Sequence, residues 1–150
     1  MTLRQLDHRI LLFTRKISLP LARVSLFVVF FWFGLLKVLG YSPAAGLVKD
    51  LLARTLPFLS PETFVVCFGL FEMLIGILFL IKGCERFVIP LLFLHMLTTI
   101  LPLILLPSVT WSQAFVPTLE GQYIIKNIVI IATAIGIMAH LRPIKIPSSF

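Results

Sequence analysis

"FFWFGLLKVLG", residues 30–40, is an apolar run that carries a single lysine, Lys37, close to its end. The run sits inside a longer apolar stretch, 18–40, and a hydrocarbon core takes about 20 residues of helix to cross. An ammonium group at the centre of such a helix costs roughly 2.5–3.5 kcal/mol on insertion scales, and less near an end. Lys37 must therefore meet a partner, reach the headgroups along its own stem, or serve a site.

Composition sets the class. Of 150 residues, 59% are hydrophobic and 13% are charged, against about 25% charged in soluble domains. The chain reads as an integral membrane protein, short enough for one domain over 1–150. Its net charge of +7 could suggest nucleic acid, but the basic residues gather beside apolar spans, which fits membrane orientation instead. Cys67 and Cys84 would stand roughly 25 Å apart if one helix held both, too far for a disulfide. No C-x-x-C pair exists, which argues against a dithiol catalyst, and both cysteines read as packing residues.

Four apolar spans, 18–40, 63–82, 87–106 and 122–141, are each long enough to cross a bilayer as a helix. No alternation suggests barrel strands. The first span follows a basic stretch, as a signal peptide would. Its apolar region is too long for one, and Lys37 falls where a cleavage region should be bland, so it reads as a retained helix. Arg4, Arg9, Arg15, Lys16, Arg23, Lys82, Arg86, Arg142 and Lys145 fall on one side of the spans, and Lys49 and Arg54 on the other. The positive-inside rule then puts both termini in the cytoplasm. The segment 41–61 includes "GLVKDLLARTL", apolar at helical spacing, which predicts a short helix on the outer surface, with a plain loop as the alternative. The third connection has no basic residue, and Trp111 and Tyr123 suit an interface.

Each span carries a polar residue it does not need for insertion. The first has Lys37, the second Glu72, the third His95 with Thr98 and Thr99, and the fourth Lys126 and Asn127. Glu72 and His95 fall near the midplane, roughly 13 Å from their span starts, while Lys37 and Lys126 lie roughly 5–8 Å below the outer surface. At about 100° per residue, Phe30, Phe33, Gly34, Lys37 and Tyr41 share a face, as do Gly69, Glu72 and Gly76. His95, Thr98, Thr99 and Pro102 share another, and Tyr123, Lys126, Ile130 and Thr133 a fourth. These faces predict one internal polar cluster containing Lys37, Tyr41, Glu72, His95, Lys126 and Asn127. The plainer alternatives are that both lysines snorkel, that His95 is a packing residue and that Asn127 only joins helices. Two lysines against one glutamate leave the set net positive, which favours an anion or a quinone oxygen. A proton relay through Glu72 and His95 is the other option.

Three stretches, "FFWFGLLKVLGYSPAAG", "GLFEMLIGILFLI" and "TLEGQYIIKNIVIIATAIGI", resemble the DoxX-like membrane proteins, in particular the YkgB-type branch. The resemblance covers about 24–141. It implies an all-α bundle of four transmembrane helices in the bacterial inner membrane, with Lys37, Glu72 and Lys126 at recurring intramembrane polar positions. It also implies a link to thiosulfate:quinone or thiol and oxidant chemistry, or to transport or assembly. The branch often carries an acidic residue soon after the aromatic that follows the lysine, and here Tyr41 leads instead to Ser42, Pro43 and Ala44.

The expected function is a redox-associated subunit whose outward pocket takes a quinone or small anion. Its partner would be a membrane or periplasmic redox protein, or further copies of the chain. The alternatives are a small proton-coupled transporter and a structural or assembly factor. No Rossmann or P-loop motif occurs. No metal site is expected, and a diffusible quinone is the one cofactor the reading suggests.

Overall fold

The computed structural model describes residues 2–143; Lys145, counted above with the tail, lies outside them. In chain order the elements are α1 (Leu3–Val38), α2 (Ala45–Thr55), α3 (Pro61–Leu80), α4 (Glu85–Leu105) and α5 (Pro107–Thr110), then strands β1 (Trp111–Gln113) and β2 (Val116–Pro117), then α6 (Leu119–Ile125) and α7 (Asn127–Met138). Among the described residues, four helices are long and apolar enough to cross a membrane: α1, α3, α4 and the combined length Leu119–Met138. Large apolar side chains such as Trp32, Phe87, Leu97, Ile104 and Ile128 point outward from all four, a distribution suited to a hydrocarbon solvent.

The first helix is much longer than the apolar stretch alone predicts. It begins at Leu3, not near residue 18, and runs 36 residues, or about 54 Å of rise against about 30 Å of hydrocarbon. A capping box starts it: the Thr2 side chain accepts from the Gln5 amide, and the Gln5 side chain accepts from the Thr2 amide. Hydropathy drops at Arg15 and Lys16, but helix formation depends on caps and propensity, and no glycine interrupts residues 3–33. Pro20 lies inside α1 without ending it.

The other spans follow their caps. Ser60 accepts from the Thr63 amide with Pro61 at the first helical position, so α3 starts at Pro61 and ends at Leu80. Gly83, at φ +96°, turns the chain into α4, and its amide donates to Glu85 Oε2 at 2.7 Å. Thr118 caps α6 through the Gly121 amide, which moves the fourth span to Leu119–Met138 from the expected 122–141. Lys126 separates α6 from α7 while keeping near-helical dihedrals of −60° and −18°.

The connections carry more structure than their sequences announce. The segment after α1 does contain a helix, α2, which buries Leu52. Arg54 reaches from its last turn to donate to the Leu105 carbonyl at 2.9 Å, placing a cation on the negative end of α4. The third connection holds α5 and a small antiparallel hairpin, β1 against β2, which the sequence reading did not anticipate. Trp111 is half-buried there and donates from Nε1 to the Leu103 carbonyl at 3.1 Å.

The core lies between α1, α3, α4 and α7, where Leu26, Phe30, Ile75, Phe79, Val88, Leu92, Ala134 and Ile137 are buried. Glycines bring α1 and α3 together. A methyl group on Gly34 would sit 2.5 Å from the Gly69 carbonyl oxygen, and one on Gly69 would sit 2.7 Å from that of Gly34. Such contact is possible only where neither helix presents a side chain. The cysteines correct one expectation: Cys67 is exposed, not packed, while Cys84 is partly buried, and both are free.

Candidate functional site: the Lys37–Glu72–His95 cluster

The glycine contact decides where Lys37 points. Gly34 and Lys37 lie one turn apart on α1, as Gly69 and Glu72 do on α3, so bringing the glycines together sets the lysine opposite the carboxylate. Lys37 Nζ donates to Glu72 Oε2 at 2.6 Å. From α4, His95 Nε2 bonds Glu72 Oε1 at 2.9 Å. Three helices thus meet at one carboxylate, with Lys37 8%, Glu72 5% and His95 4% exposed.

Aromatic rings close the cluster. Phe68 stacks on the His95 imidazole at 4.7 Å and 15° between planes, Phe30 meets it edge-on at 5.3 Å, and Phe71 lies 6.2 Å away. Lys37 Nζ also sits 5.9 Å from the Phe68 centroid, within cation–π range. The same ring therefore covers both partners of the carboxylate.

The bond to Glu72 fixes the imidazole. A carboxylate only accepts, so Nε2 carries the proton, and in the neutral ring Nδ1 presents a lone pair. That Nδ1 is buried and has no hydrogen-bond partner among the described residues. Buried polar atoms without partners are uncommon. A carboxylate behind one ring nitrogen and an unpartnered second nitrogen is the arrangement that makes histidine a positioned base.

Other members of the expected cluster lie elsewhere. Tyr41 is 76% exposed: α1 ends at Val38 and Gly40 turns at φ +78°, so helical face arithmetic no longer applies at residue 41. Lys126 is exposed, with Nζ 5.5 Å from the Tyr123 ring on the same outward surface. Asn127 donates to Thr99 Oγ1 at 3.4 Å, linking α7 to α4, and makes no bond to the triad. The Thr98 and Thr99 hydroxyls return to carbonyls of their own helix, those of His95 and Met96. With Lys126 removed, one ammonium faces one carboxylate, and the net positive pocket is lost.

A second buried ion pair was missed altogether. Arg23 of α1 pairs through Nη2 with Glu85 Oε1 at the start of α4, with side chains 11% and 7% exposed. Arg23 Nε and Nη1 have no partners among the described residues. The available signal was position, since Arg23 falls inside the apolar stretch 18–40 and needs compensation as Lys37 does. No group of three or more His, Cys, Asp or Glu side chains among the described residues could hold a metal ion. Among known family models, curated proteins and solved structures, none matches this chain.

Proposed function

We propose that the chain is a DoxX-like protein of the bacterial inner membrane, with cytoplasmic termini, that acts as a redox-associated subunit and takes a quinone or hydroquinone at His95. The observation that carries this reading is His95 Nδ1, buried, unpartnered and backed through Nε2 by Glu72. A hydroquinone hydroxyl would donate to Nδ1. As its proton passes to the imidazole, Glu72 stabilises the imidazolium while Lys37 holds the carboxylate in place. The two electrons leave to a redox partner in the membrane or periplasm, and the second proton leaves to solvent as the quinone forms. The bond to Nδ1 lies in the plane of the imidazole, so the ligand ring would approach the edge of His95 while Phe68 stays stacked on its face. Because Nδ1 is buried, a neighbouring side chain must shift on binding. A small anion fits less well, because Glu72 already neutralises Lys37.

The test is titration of a short-chain quinone and its hydroquinone into the purified protein and into His95→Gln, read beside melting curves. Loss of one charge-assisted hydrogen bond, about 1.5–3 kcal/mol, predicts a roughly tenfold to hundredfold fall in affinity. Equal affinity in a folded variant would end this reading. A proton-coupled transporter draws on the same bond, because Glu72 and His95 join two protonatable groups inside the bundle. It would be favoured by pH-dependent solute flux in liposomes that disappears in Glu72→Gln. An assembly role would leave both measurements flat.

A further inference from the structure

At the opposite end from Lys37, the start of α4 and the end of α7 enclose a cleft of about 430 Å³. Its rim carries Glu85, Arg86 and Arg142, and its wall is apolar, with Ile89, Phe93 and Met138 facing inward. We infer that this cleft is a binding site for an anionic phospholipid, with the phosphate at the two rim guanidiniums and the first part of an acyl chain on the apolar wall.

The charges support an anion. Among the described residues, Glu85 is the one acidic group on the rim, and Arg23 already neutralises it from behind the wall. Arg86 and Arg142 therefore leave the rim net positive. An Arg86 Nη2 donates to the Arg142 carbonyl, which holds the two segments together and uses only one of the five N–H donors of that guanidinium. The fork geometry of arginine matches phosphate oxygens.

The shape supports an amphiphile over a free anion. From Arg86 to Phe93 the wall runs seven residues along α4, about 10 Å of rise, and changes from charged to wholly apolar. A phosphate alone would leave that apolar wall empty, and an uncharged chain alone would leave the guanidiniums unmatched. A basic pocket between membrane-spanning helices near one end is the setting in which anionic headgroups are recognised.

The experiment uses the full chain. Native mass spectrometry counts retained phosphatidylglycerol and phosphatidylcholine, and melting curves are taken in nanodiscs of each lipid. The wild type should retain phosphatidylglycerol with a preference of roughly tenfold or more, as two basic side chains at a headgroup imply. Arg86→Gln with Arg142→Gln should abolish the preference. Arg4→Gln with Arg9→Gln, which removes equal charge outside the cleft, should keep it. Met138→Trp fills the cleft and leaves both arginines, so it should also abolish the preference, and it decides the matter if the double arginine variant does not accumulate. Retained preference in Met138→Trp, equal loss in the Arg4 and Arg9 variant, or displacement of the lipid by millimolar inorganic phosphate would each overturn the assignment.

Discussion

Glu72 accepts from Lys37 on one oxygen and from His95 on the other, so its substitution reaches three helices at once. Glu72→Gln keeps the shape and removes the charge, stranding a lysine that is 8% exposed. Breaking a buried pair in this way costs about 3–5 kcal/mol, and the variant should melt well below the wild type or fail to accumulate. Lys37→Met combined with Glu72→Gln removes both charges and should recover much of that loss, because no unpaired ion is left inside. A double variant as unstable as the single one would mean that the carboxylate matters for its bond to His95, not for the lysine. Lys126 provides the contrast. Its ammonium is exposed over Tyr123, so Lys126→Met should leave both the melting midpoint and quinone affinity at wild-type values. A fall in affinity with an intact fold would return Lys126 to the site.

At the scale of the elements, close approach is what the triad depends on. Gly69→Ala would place a methyl 2.7 Å from the Gly34 carbonyl and 2.8 Å from Lys37 Cβ. Alanine is favoured over glycine in a helix by about 1 kcal/mol, but overpacking costs about 1–3 kcal/mol. Here the obstacle is largely rigid backbone, so the steric term should win and the variant should be destabilised. Gly136→Ala meets nothing within 4 Å and should be neutral or slightly stabilising in the same melting assay. Equal effects at the two positions would refute the tight α1–α3 contact. The sequence made this contact partly legible, since Gly34 and Lys37, and Gly69 and Glu72, repeat at helical spacing, and that periodicity survives folding. Tyr41 was misplaced because the same periodicity was carried past Val38, where a positive-φ glycine ends it. The first fifteen or so residues of α1 escaped notice because hydropathy reports burial in hydrocarbon, whereas a capping box reports helix. The pairing of Arg23 with Glu85 is a contact across 62 positions of sequence, and no local pattern encodes it.

At the scale of the whole bundle, two buried ion pairs among the described residues stand at different levels, both with a cation on α1. Arg23 meets the start of α4, and Lys37 meets α3 further along. Glu85→Gln should therefore destabilise by about 3–5 kcal/mol through the stranded guanidinium, while Arg23→Met with Glu85→Gln should be milder. The hydrogen-bonded contact of Lys37 with Glu72 should survive in either variant, because the pairs share no residue; wild-type quinone affinity in the double variant would check this.

The arrangement of the bundle also makes the orientation testable. Four spanning-length helices in alternation return the chain to the end where it began, and Glu85, Met138 and Arg142 do line one cleft there. The excess of basic residues at that end predicts that it faces the cytoplasm. Cys67 is exposed on the surface of α3 and Cys84 is partly buried, so to leave one thiol per variant both native cysteines are first replaced by serine. On that background, Ser42→Cys and Ser112→Cys should react with a membrane-impermeant maleimide in intact cells. Thr14→Cys, exposed on the long first helix, should react only after lysis. Labelling of Thr14→Cys in intact cells, with the other two protected, would invert the protein in its membrane and put the lipid cleft on the outer face. Labelling of all three would mean that α1 does not cross at all, because Thr14 and Ser42 lie on either side of its apolar stretch.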